Sequence, residues 1–362
     1  MISIKIADTQ RRFPLFLFLS ILLAIGSLGL AACHGRASAS TAANSSSASS
    51  QSTWTMPQMT QTTPPLQASL FGVTYGNGTF VAVGDYDNSN QGDISMTSAD
   101  GSNWTQHAES LSTGLNSVAF GNGIFVAAGE GANGGGLLTS TNGSAWTAAQ
   151  SMPSILYGVA YGNGIFVAVG THGEMESKAG VILTSANGSA WAIAKPALDA
   201  SGPRAVVYGN GIFVAVGQGF PSNNSILTSP DGLNWTPAKA VPATESLLGV
   251  AYGKGMYVAV GQTNTGGAAI LTSTDGYTWT TAPYTLPASQ FNGIAFGNGT
   301  FMAVGASKSG ALPTTLTSTD GSNWTMKTIP PHAGTPTLRS VAFGKGRFVG
   351  AGESGTTLLA LP

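Results

Sequence analysis

Seven residues of contrasting chemistry occupy the same place in seven similar segments of the chain. Each stands directly before a Gly, Ser or Ala near the start of a short apolar run; these mouth residues are Phe71, Asn116, Tyr157, Arg204, Leu248, Asn292 and Arg339. Aromatic rings, amides and guanidinium groups together suit the binding of a sugar or a peptide. We therefore predict a ligand-binding mouth, the alternative being that these residues only line a water-filled channel.

The sequence contains few groups that are arranged for acid–base catalysis. A glycosidase needs two carboxylates facing each other across a cleft. Apart from the turn aspartates described below, the acids are scattered, and spacing singles out no pair: Asp85, Asp87, Asp93, Glu109, Glu130, Glu174, Glu176, Asp199, Glu245 and Glu353. The histidines His107, His172 and His332 are predicted to lie alone in loops. No serine elbow, phosphate-binding loop or HExxH segment occurs. We expect no catalytic residue and no cofactor.

One acidic loop has the composition of a calcium site. Asp85, Asp87 and Asp93 lie close together with Asn88 and Asn90. Oxygen-rich loops of this kind can hold Ca²⁺, but this one lacks the glycine and terminal glutamate of an EF-hand. We favour a solvated loop without metal, and name the three aspartates as the ligands that calcium would use.

These residues are positioned by an internal repeat that begins at Leu70. Six tryptophans mark its period: Trp104, Trp146, Trp191, Trp235, Trp279 and Trp324, 44 residues apart on average. Each unit contains two apolar runs joined by Asn-Gly or Lys-Gly, as in "GVAYGNGIFVAVG", which predicts a tight hairpin. A third run then leads through Asp-Gly or Asn-Gly to a "WT" segment, so each unit predicts four strands.

The composition supports short strands and excludes some partners. Of 362 residues, 42% are hydrophobic, only 8% are charged and 50 are glycine. Helices disfavour glycine, whereas tight turns use it. The net charge of −1 provides no field to attract nucleic acid. The single cysteine excludes an intrachain disulfide and a zinc site of several thiolates.

Four-stranded antiparallel units at this period stack radially as the blades of a β-propeller. The tryptophans and the aromatic residue ending each first strand should fill the space between sheets. The seventh unit reaches Pro362 without a "WT" segment, whereas "STWT" at 52–55 resembles one. We therefore predict an all-β, seven-bladed propeller of four-stranded antiparallel blades, closed by an N-terminal strand around Trp54. We expect a monomer.

The turn before each tryptophan resembles a known family signature. "TSADGSNW", with Ser98, Asp100, Gly101 and Trp104, is similar to a shortened Asp-box of the BNR, or sialidase-like, β-propeller repeats. The six equivalent turn positions are Asp100, Asn142, Asn187, Asp231, Asp275 and Asp320. The resemblance implies a structural role, in which the side chain caps backbone amides. Sialidases of this family also need an arginine cluster, and residues 51–362 contain only Arg204, Arg339 and Arg347.

The N-terminus has the features of a secretion signal. Lys5, Arg11 and Arg12 precede an apolar run over 13–30, which ends in "LAAC" at Cys33. This segment resembles the lipobox of bacterial lipoproteins, which implies cleavage before Cys33 and its acylation. We predict a signal peptide over 1–32, a flexible Ser/Ala/Thr tether over 33–50 and the propeller over 51–362. An ordinary signal peptide or a transmembrane anchor is the alternative.

Function is expected on one face of the propeller. The second-to-third loops differ between units, whereas the hairpin turns are nearly identical, and variable loops of repeat folds collect on a binding face. We predict a lipid-anchored, non-enzymatic binding or scaffolding module at the bacterial cell envelope, in the outer membrane or at the cell surface. Its ligand would be a glycan, a peptide or a protein. The alternatives are a glycan-active hydrolase or lyase of sialidase-like architecture, and a passive surface protein.

Overall fold

The structure is a computed structural model that describes residues 68–86, 92–109, 114–131, 134–149, 154–172, 179–194, 198–218, 225–239, 241–242, 246–263, 265–283, 288–307, 313–327, 337–353 and 357–360. Regular structure in these ranges is almost wholly β-strand. Within them, no helix has the length and hydropathy that a membrane span requires.

The strands form seven antiparallel sheets, numbered here along the chain. The first strands are β1 (Ala68–Gly76), β5 (Leu115–Gly121), β9 (Ser154–Gly162), β14 (Pro203–Gly209), β18 (Ser246–Gly253), β22 (Ala288–Gly297) and β26 (Leu338–Gly344). The second strands are β2 (Thr79–Tyr86), β6 (Ile124–Gly131), β10 (Ile165–His172), β15 (Ile212–Gly217), β19 (Met256–Gln262), β23 (Thr300–Ser307) and β27 (Arg347–Gly352).

The outer strands are shorter. The third strands are β3 (Asp93–Ser98), β7 (Gly134–Ser140), β11 (Ala179–Ser185), β16 (Ile226–Ser229), β20 (Ala268–Ser273), β24 (Pro313–Ser318) and β28 (Thr357–Ala360). The fourth strands are β4 (Thr105–Glu109), β8 (Thr147–Ala148), β12 (Ala192–Ile193), β17 (Thr236–Pro237), β21 (Thr280–Thr281) and β25 (Thr325–Lys327). An additional short strand, β13 (Leu198–Ser201), pairs with β11 and was not predicted.

The prediction of seven four-stranded blades is wrong. Six sheets contain the four strands of a complete blade, one of them with β13 as a fifth strand, whereas in the described residues the last sheet contains only β26, β27 and β28. The physical reason is that, among the described strands, β28 pairs only with β27, so no fourth strand lies along its outer edge. Trp54, which was predicted to supply the missing strand, lies outside the described residues. The described part of the chain instead closes the ring by direct packing of β26 against β1.

The hydrophobic core lies between neighbouring sheets rather than within one sheet. Sheets 4 and 5, for example, share a cluster that joins Val214 and Ile226 to Tyr257, Leu271 and Trp279. Equivalent clusters fill the other spaces around the ring, including the space between the last and first sheets. The predicted packing role of the tryptophans is therefore confirmed, although Trp146 and Trp324 are only partly buried.

The hairpins joining first and second strands have the predicted geometry. Asn77 has φ 47° and Gly78 has φ 78°, and each of the other six hairpins repeats this pair of positive values. Such a turn matches the right-handed twist of the flanking strands. It also places the aromatic residue that ends the first strand against one on the second, as in Tyr208 and Phe213, whose ring centroids lie 4.7 Å apart.

A glycine at the end of each first strand allows neighbouring sheets to approach closely. A Cβ atom added to Gly162 would lie 2.1 Å from Cγ of Tyr208 in the next sheet, so any side chain would overlap that ring. The same contact joins Gly344 of the last sheet to Tyr75 of the first. This repeated contact therefore runs around the whole ring.

Candidate functional site

The seven first strands enclose a cavity of about 140 Å³ at the centre of the ring. Each contributes three consecutive residues to its wall: 71–73, 116–118, 157–159, 204–206, 248–250, 292–294 and 339–341. All seven mouth residues are among them, and all are partly exposed. The structure thus brings together the residues that were chosen from the repeat alone.

Each mouth residue is the extra residue of a β-bulge. In sheet 5, Leu247 pairs with Gly261 and Gly249 pairs with Val260, so Leu248 has no partner across the ladder. The first strand skips one residue at the same place in the other six sheets. A bulge leaves one residue unpaired and can redirect its side chain. This explains why residues of such different size and polarity are tolerated here.

The residue after each bulge must be small because adjacent first strands nearly touch. A Cβ atom on Gly158 would lie 2.9 Å from the carbonyl oxygen of Arg204, and one on Gly72 would lie 2.8 Å from Cα of Ser117. Where serine takes this place, its hydroxyl bridges the two strands. Ser117 Oγ accepts from the Val159 amide at 3.2 Å, and Ser340 Oγ accepts similarly from Val73 at 3.3 Å.

The two asparagines of the mouth are already engaged in the channel wall. Asn116 Nδ2 donates to the Leu156 carbonyl of the next sheet at 2.9 Å, and Asn292 Nδ2 donates to that of Leu338 at 2.8 Å. Asn292 Oδ1 also accepts from Gln290 Nε2 at 2.7 Å. These side chains hold neighbouring bulges together, so their amide groups contribute less to ligand binding than their type alone suggests.

Arg204 lies over an aromatic ring at the mouth. Its Cζ is 3.9 Å from the ring centroid of Tyr157, which belongs to the preceding sheet. A guanidinium group stacked on a ring is held by cation–π attraction while its in-plane N–H groups remain directed outward. The pair therefore presents a flat, oriented set of hydrogen-bond donors.

Arg339 is neutralised by a carboxylate. Its Nη2 donates to Glu353 Oε1 in a short ion pair in which each side chain is about one third exposed, at 36% and 35%. Its Nε is buried and has no hydrogen-bond partner among the described residues. The sequence did not signal this pair, because Glu353 lies just beyond the second strand and only the fold places it beside β26.

The side chains that line the described wall of the cavity are apolar, neutral polar or basic. The residues lining its described wall include no aspartate, glutamate, histidine or cysteine. They combine backbone groups and valines with two arginines, a tyrosine, and the apolar side chains of Phe71 and Leu248. Of the side chains that commonly act as general acids or bases, this lining contains only Tyr157.

The six turn residues that resemble the Asp-box lie in turns away from the cavity. Asp100 Oδ1 accepts from the amides of Ser102 at 2.8 Å and Asn103 at 2.9 Å, while Ser98 Oγ accepts from Gly101 at 2.8 Å. Trp104 Nε1 donates to the Gly101 carbonyl at 3.0 Å. Asn142, Asn187, Asp231, Asp275 and Asp320 accept equivalent backbone bonds.

These hydrogen bonds stabilise the ionised form of each turn aspartate. The Asn103 amide, followed by that of Ser102, holds the pKa of Asp100 well below its ordinary value. The amides of Asn234, Thr278 and Asn323 have the same leading effect on the pKa values of Asp231, Asp275 and Asp320, respectively. Low pKa values here reflect a structural turn, not a proton-transfer group.

The remaining predicted residues are dispersed. Asp85 and Asp93 face each other across β2 and β3, and Asp93 is fully buried. Asp87 and Cys33 lie outside the described residues. No group of three or more metal-binding side chains occurs in the part of the chain that the structure describes.

Two histidines lie on strands, so their predicted loop positions are wrong. His107 belongs to β4, with Nε2 2.9 Å from Thr97 Oγ1, and its burial lowers its pKa. His172 ends β10, with Nδ1 3.3 Å from Ser154 Oγ. His332 lies outside the described residues. Neither described histidine lines the cavity.

Comparison with known proteins supports the fold. No protein-family model matches the chain. No curated protein matches it either. Among solved structures, YCF48 from Cyanidioschyzon merolae matches with a TM-score of 0.59 and 16% identity, over 86% of this chain and 99% of that chain. YCF48 bound to a D1 peptide matches with a TM-score of 0.58 and 18% identity, over 85% and 95%.

A third solved structure of similar fold is that of an enzyme. Virginiamycin B lyase from Staphylococcus aureus matches with a TM-score of 0.63 and 14% identity, over 81% of this chain and 94% of that chain. At these identities the likeness establishes a β-propeller and not a shared function. One neighbour binds a peptide and the other is a lyase, and fold does not determine function.

Proposed function

We propose that this protein is a non-enzymatic binding module that holds a peptide segment of a partner protein at the mouth of its central cavity. The observation that carries the proposal is the composition of that mouth. A stacked arginine, a tyrosine and two apolar side chains converge on one cavity whose described lining has no acid or histidine. The peptide-bound state of the YCF48 neighbour shows that a propeller of related fold can have a peptide ligand.

The alternative of a glycan-active hydrolase or lyase has less support. The similarity in fold to virginiamycin B lyase is the reason to test this alternative. However, no carboxylate lines the described wall of the cavity, and Glu353, next to the mouth, is ion-paired with Arg339. This lining does not provide the two separated acids that glycoside hydrolysis ordinarily uses.

The test is a binding screen with the full chain against a peptide array and a polysaccharide panel, scored for retention and for released products. We expect retention of peptides and no cleavage. Leu248→Ala should weaken retention, because Leu248 lies at the mouth. Leu233→Ala is the matched control, since Leu233 is 49% exposed and lies on an Asp-box turn. Equal effects of the two variants, or cleavage of any polysaccharide, would contradict the proposal.

We further propose that the module is anchored at the bacterial cell envelope through an acylated Cys33. The support is the positive N-terminal segment, the apolar run and the "LAAC" sequence before the Ser/Ala/Thr-rich stretch. In cells fed an alkyne-labelled fatty acid, the wild-type chain should become labelled and Cys33→Ala should not. Labelling of the Cys33→Ala variant would show that the thiol is not the anchor.

A further inference from the structure

We infer that the group bound at the mouth is a carboxylate of the peptide, held by the guanidinium of Arg204. This inference rests on the proposed function and specifies its ligand. The carboxylate can belong to an Asp or Glu side chain or to a free chain terminus, since the chemistry that Arg204 recognises is the same.

The first support is the set of contacts that the Arg204 guanidinium makes. Arg204 Cζ lies 3.9 Å from the centroid of the Tyr157 ring, so the ring supports the guanidinium from one side. Among the described residues, the ion pair at the mouth is Arg339–Glu353, and Arg204 forms none. The described lining of the cavity contains two arginines and no acid, so a carboxylate would complete the hydrogen bonding of Arg204 and neutralise its charge.

The second support comes from comparing Arg204 with Arg339. This arginine occupies the equivalent bulge of the last sheet, and there the chain provides its own carboxylate from Glu353. The fold thus already contains one bulge arginine with an acidic partner. Arg204, on the bulge of sheet 4, presents the same group without such a partner among the described residues.

The third support is the volume of the cavity. A cavity of about 140 Å³ is smaller than the roughly 300–1,000 Å³ of ordinary small-molecule pockets. It is therefore better suited to one inserted side chain than to a whole carboxylated sugar with its neighbours. This favours an acidic peptide over an acidic glycan as the source of the carboxylate.

The experiment uses paired immobilised peptides that differ only in Glu or Gln at an internal position, or only in a free or amidated C-terminus. The full chain should bind the carboxylate member of a pair about tenfold or more tightly, in line with a charge-assisted hydrogen bond. The pairs that discriminate identify the source of the carboxylate. Arg204→Gln should abolish the discrimination, and Arg204→Lys should reduce it, because a lysine keeps the charge but loses the planar stacking.

Lys239→Gln is the control for net charge. Lys239 is exposed and lies after β17, outside the cavity, so this variant should discriminate as the wild type does. Thermal melting checks that each variant is folded. Peptide binding without preference for a carboxylate, or discrimination that survives Arg204→Gln in a folded variant, would overturn the inference and leave the peptide-binding function standing. Retention of oligogalacturonate with no peptide retained would overturn the inference and the proposed function together.

Discussion

At the residue scale, the six turns that precede the tryptophans provide an internal comparison of aspartate with asparagine. Four turns use aspartate, and two use Asn142 and Asn187 with the same pair of backbone amides. The amide oxygen of asparagine therefore fulfils the geometric role. What aspartate adds is a negative charge, and that charge depends on pH.

We predict that replacing Asp100, Asp231, Asp275 and Asp320 by asparagine makes the protein less sensitive to acid. Each folded pKa lies below its ordinary value, so the ionised carboxylates stabilise the fold above the unfolded pKa of about 4. That contribution is lost as the pH falls toward the folded pKa values. Between pH 7 and pH 3, the melting temperature of the fourfold variant should fall less than that of the wild type. Glu130→Gln, at an exposed carboxylate outside the turns, is the control. Parallel pH profiles for the fourfold variant and the wild type would contradict the prediction.

At the element scale, each first strand has two structural features, one at each of its ends. One end carries the bulge and the mouth residue, and the other carries the glycine that meets the next sheet. Because these features occupy separate positions, the wall of the channel can stay constant while its mouth varies.

We predict that Gly162→Ala costs about 1–3 kcal/mol through overpacking against Tyr208. Gly164→Ala is the control: it has a positive φ of 80° but no atom within 4 Å of the added methyl, so only backbone strain of about 1 kcal/mol is expected. Denaturant unfolding measures both. In a Tyr208→Gly background, which removes the Cβ, Cγ and ring atoms that the methyl would meet, the cost of Gly162→Ala should shrink; an unchanged cost would show that the Tyr208 side chain is not what the methyl meets.

The bulge itself can be tested at Leu248. Deleting this residue removes the bulge and makes Leu247–Gly261 and Gly249–Val260 consecutive pairs, so the strand loses its local bend and the buried Leu247 is displaced from its packing position. We expect the deletion to lower the melting temperature severely, whereas Leu248→Ser should change the free energy of unfolding by no more than about 0.5 kcal/mol. Similar losses for the two variants would mean that the side chain, not the bulge, determines stability here.

Much of this arrangement was predictable because the repeat aligns equivalent residues. The positive φ at Asn77, the packing of Trp279 and the placing of Arg204 near Tyr157 all followed from unit-to-unit equivalence. The bulge was not predicted because its extra residue differs in type from unit to unit and so forms no sequence pattern. The Arg339–Glu353 pair lies within one unit and the asparagine bridges join consecutive units, but each depends on how a bulge directs one side chain, and the repeat pattern carries no information on that.

At the scale of the whole molecule, the joint between the last and first sheets decides whether the ring is closed. It contains the Gly344–Tyr75 contact and a shared cluster that includes Phe80 and Val349. It also contains a polar contact between residues distant in sequence. Arg347 Nη1 donates to the carbonyl of Asp100 at 2.8 Å, where earlier units have an apolar residue or a threonine.

We predict that Arg347→Met weakens this joint specifically. Loss of a hydrogen bond from a charged donor should cost about 1.5–3 kcal/mol. In native-state hydrogen exchange, amides of β1 and β26 should lose protection more than those of β14 and β15, which lie away from the joint. Arg204→Met, which removes an arginine from a different sheet, is the control. Uniform loss of protection around the ring would show that the joint is no weaker than the other interfaces.

The seven bulges have a consequence for engineering. All seven open onto the same cavity, and at Asn116 and Asn292 the side chain also bridges to the neighbouring sheet. The other five positions therefore offer sites for variation on a constant framework, much as antibody domains vary their loops, but with single residues on strands. A combinatorial library restricted to these five positions should yield receptors of altered ligand preference while leaving expression and melting behaviour nearly constant.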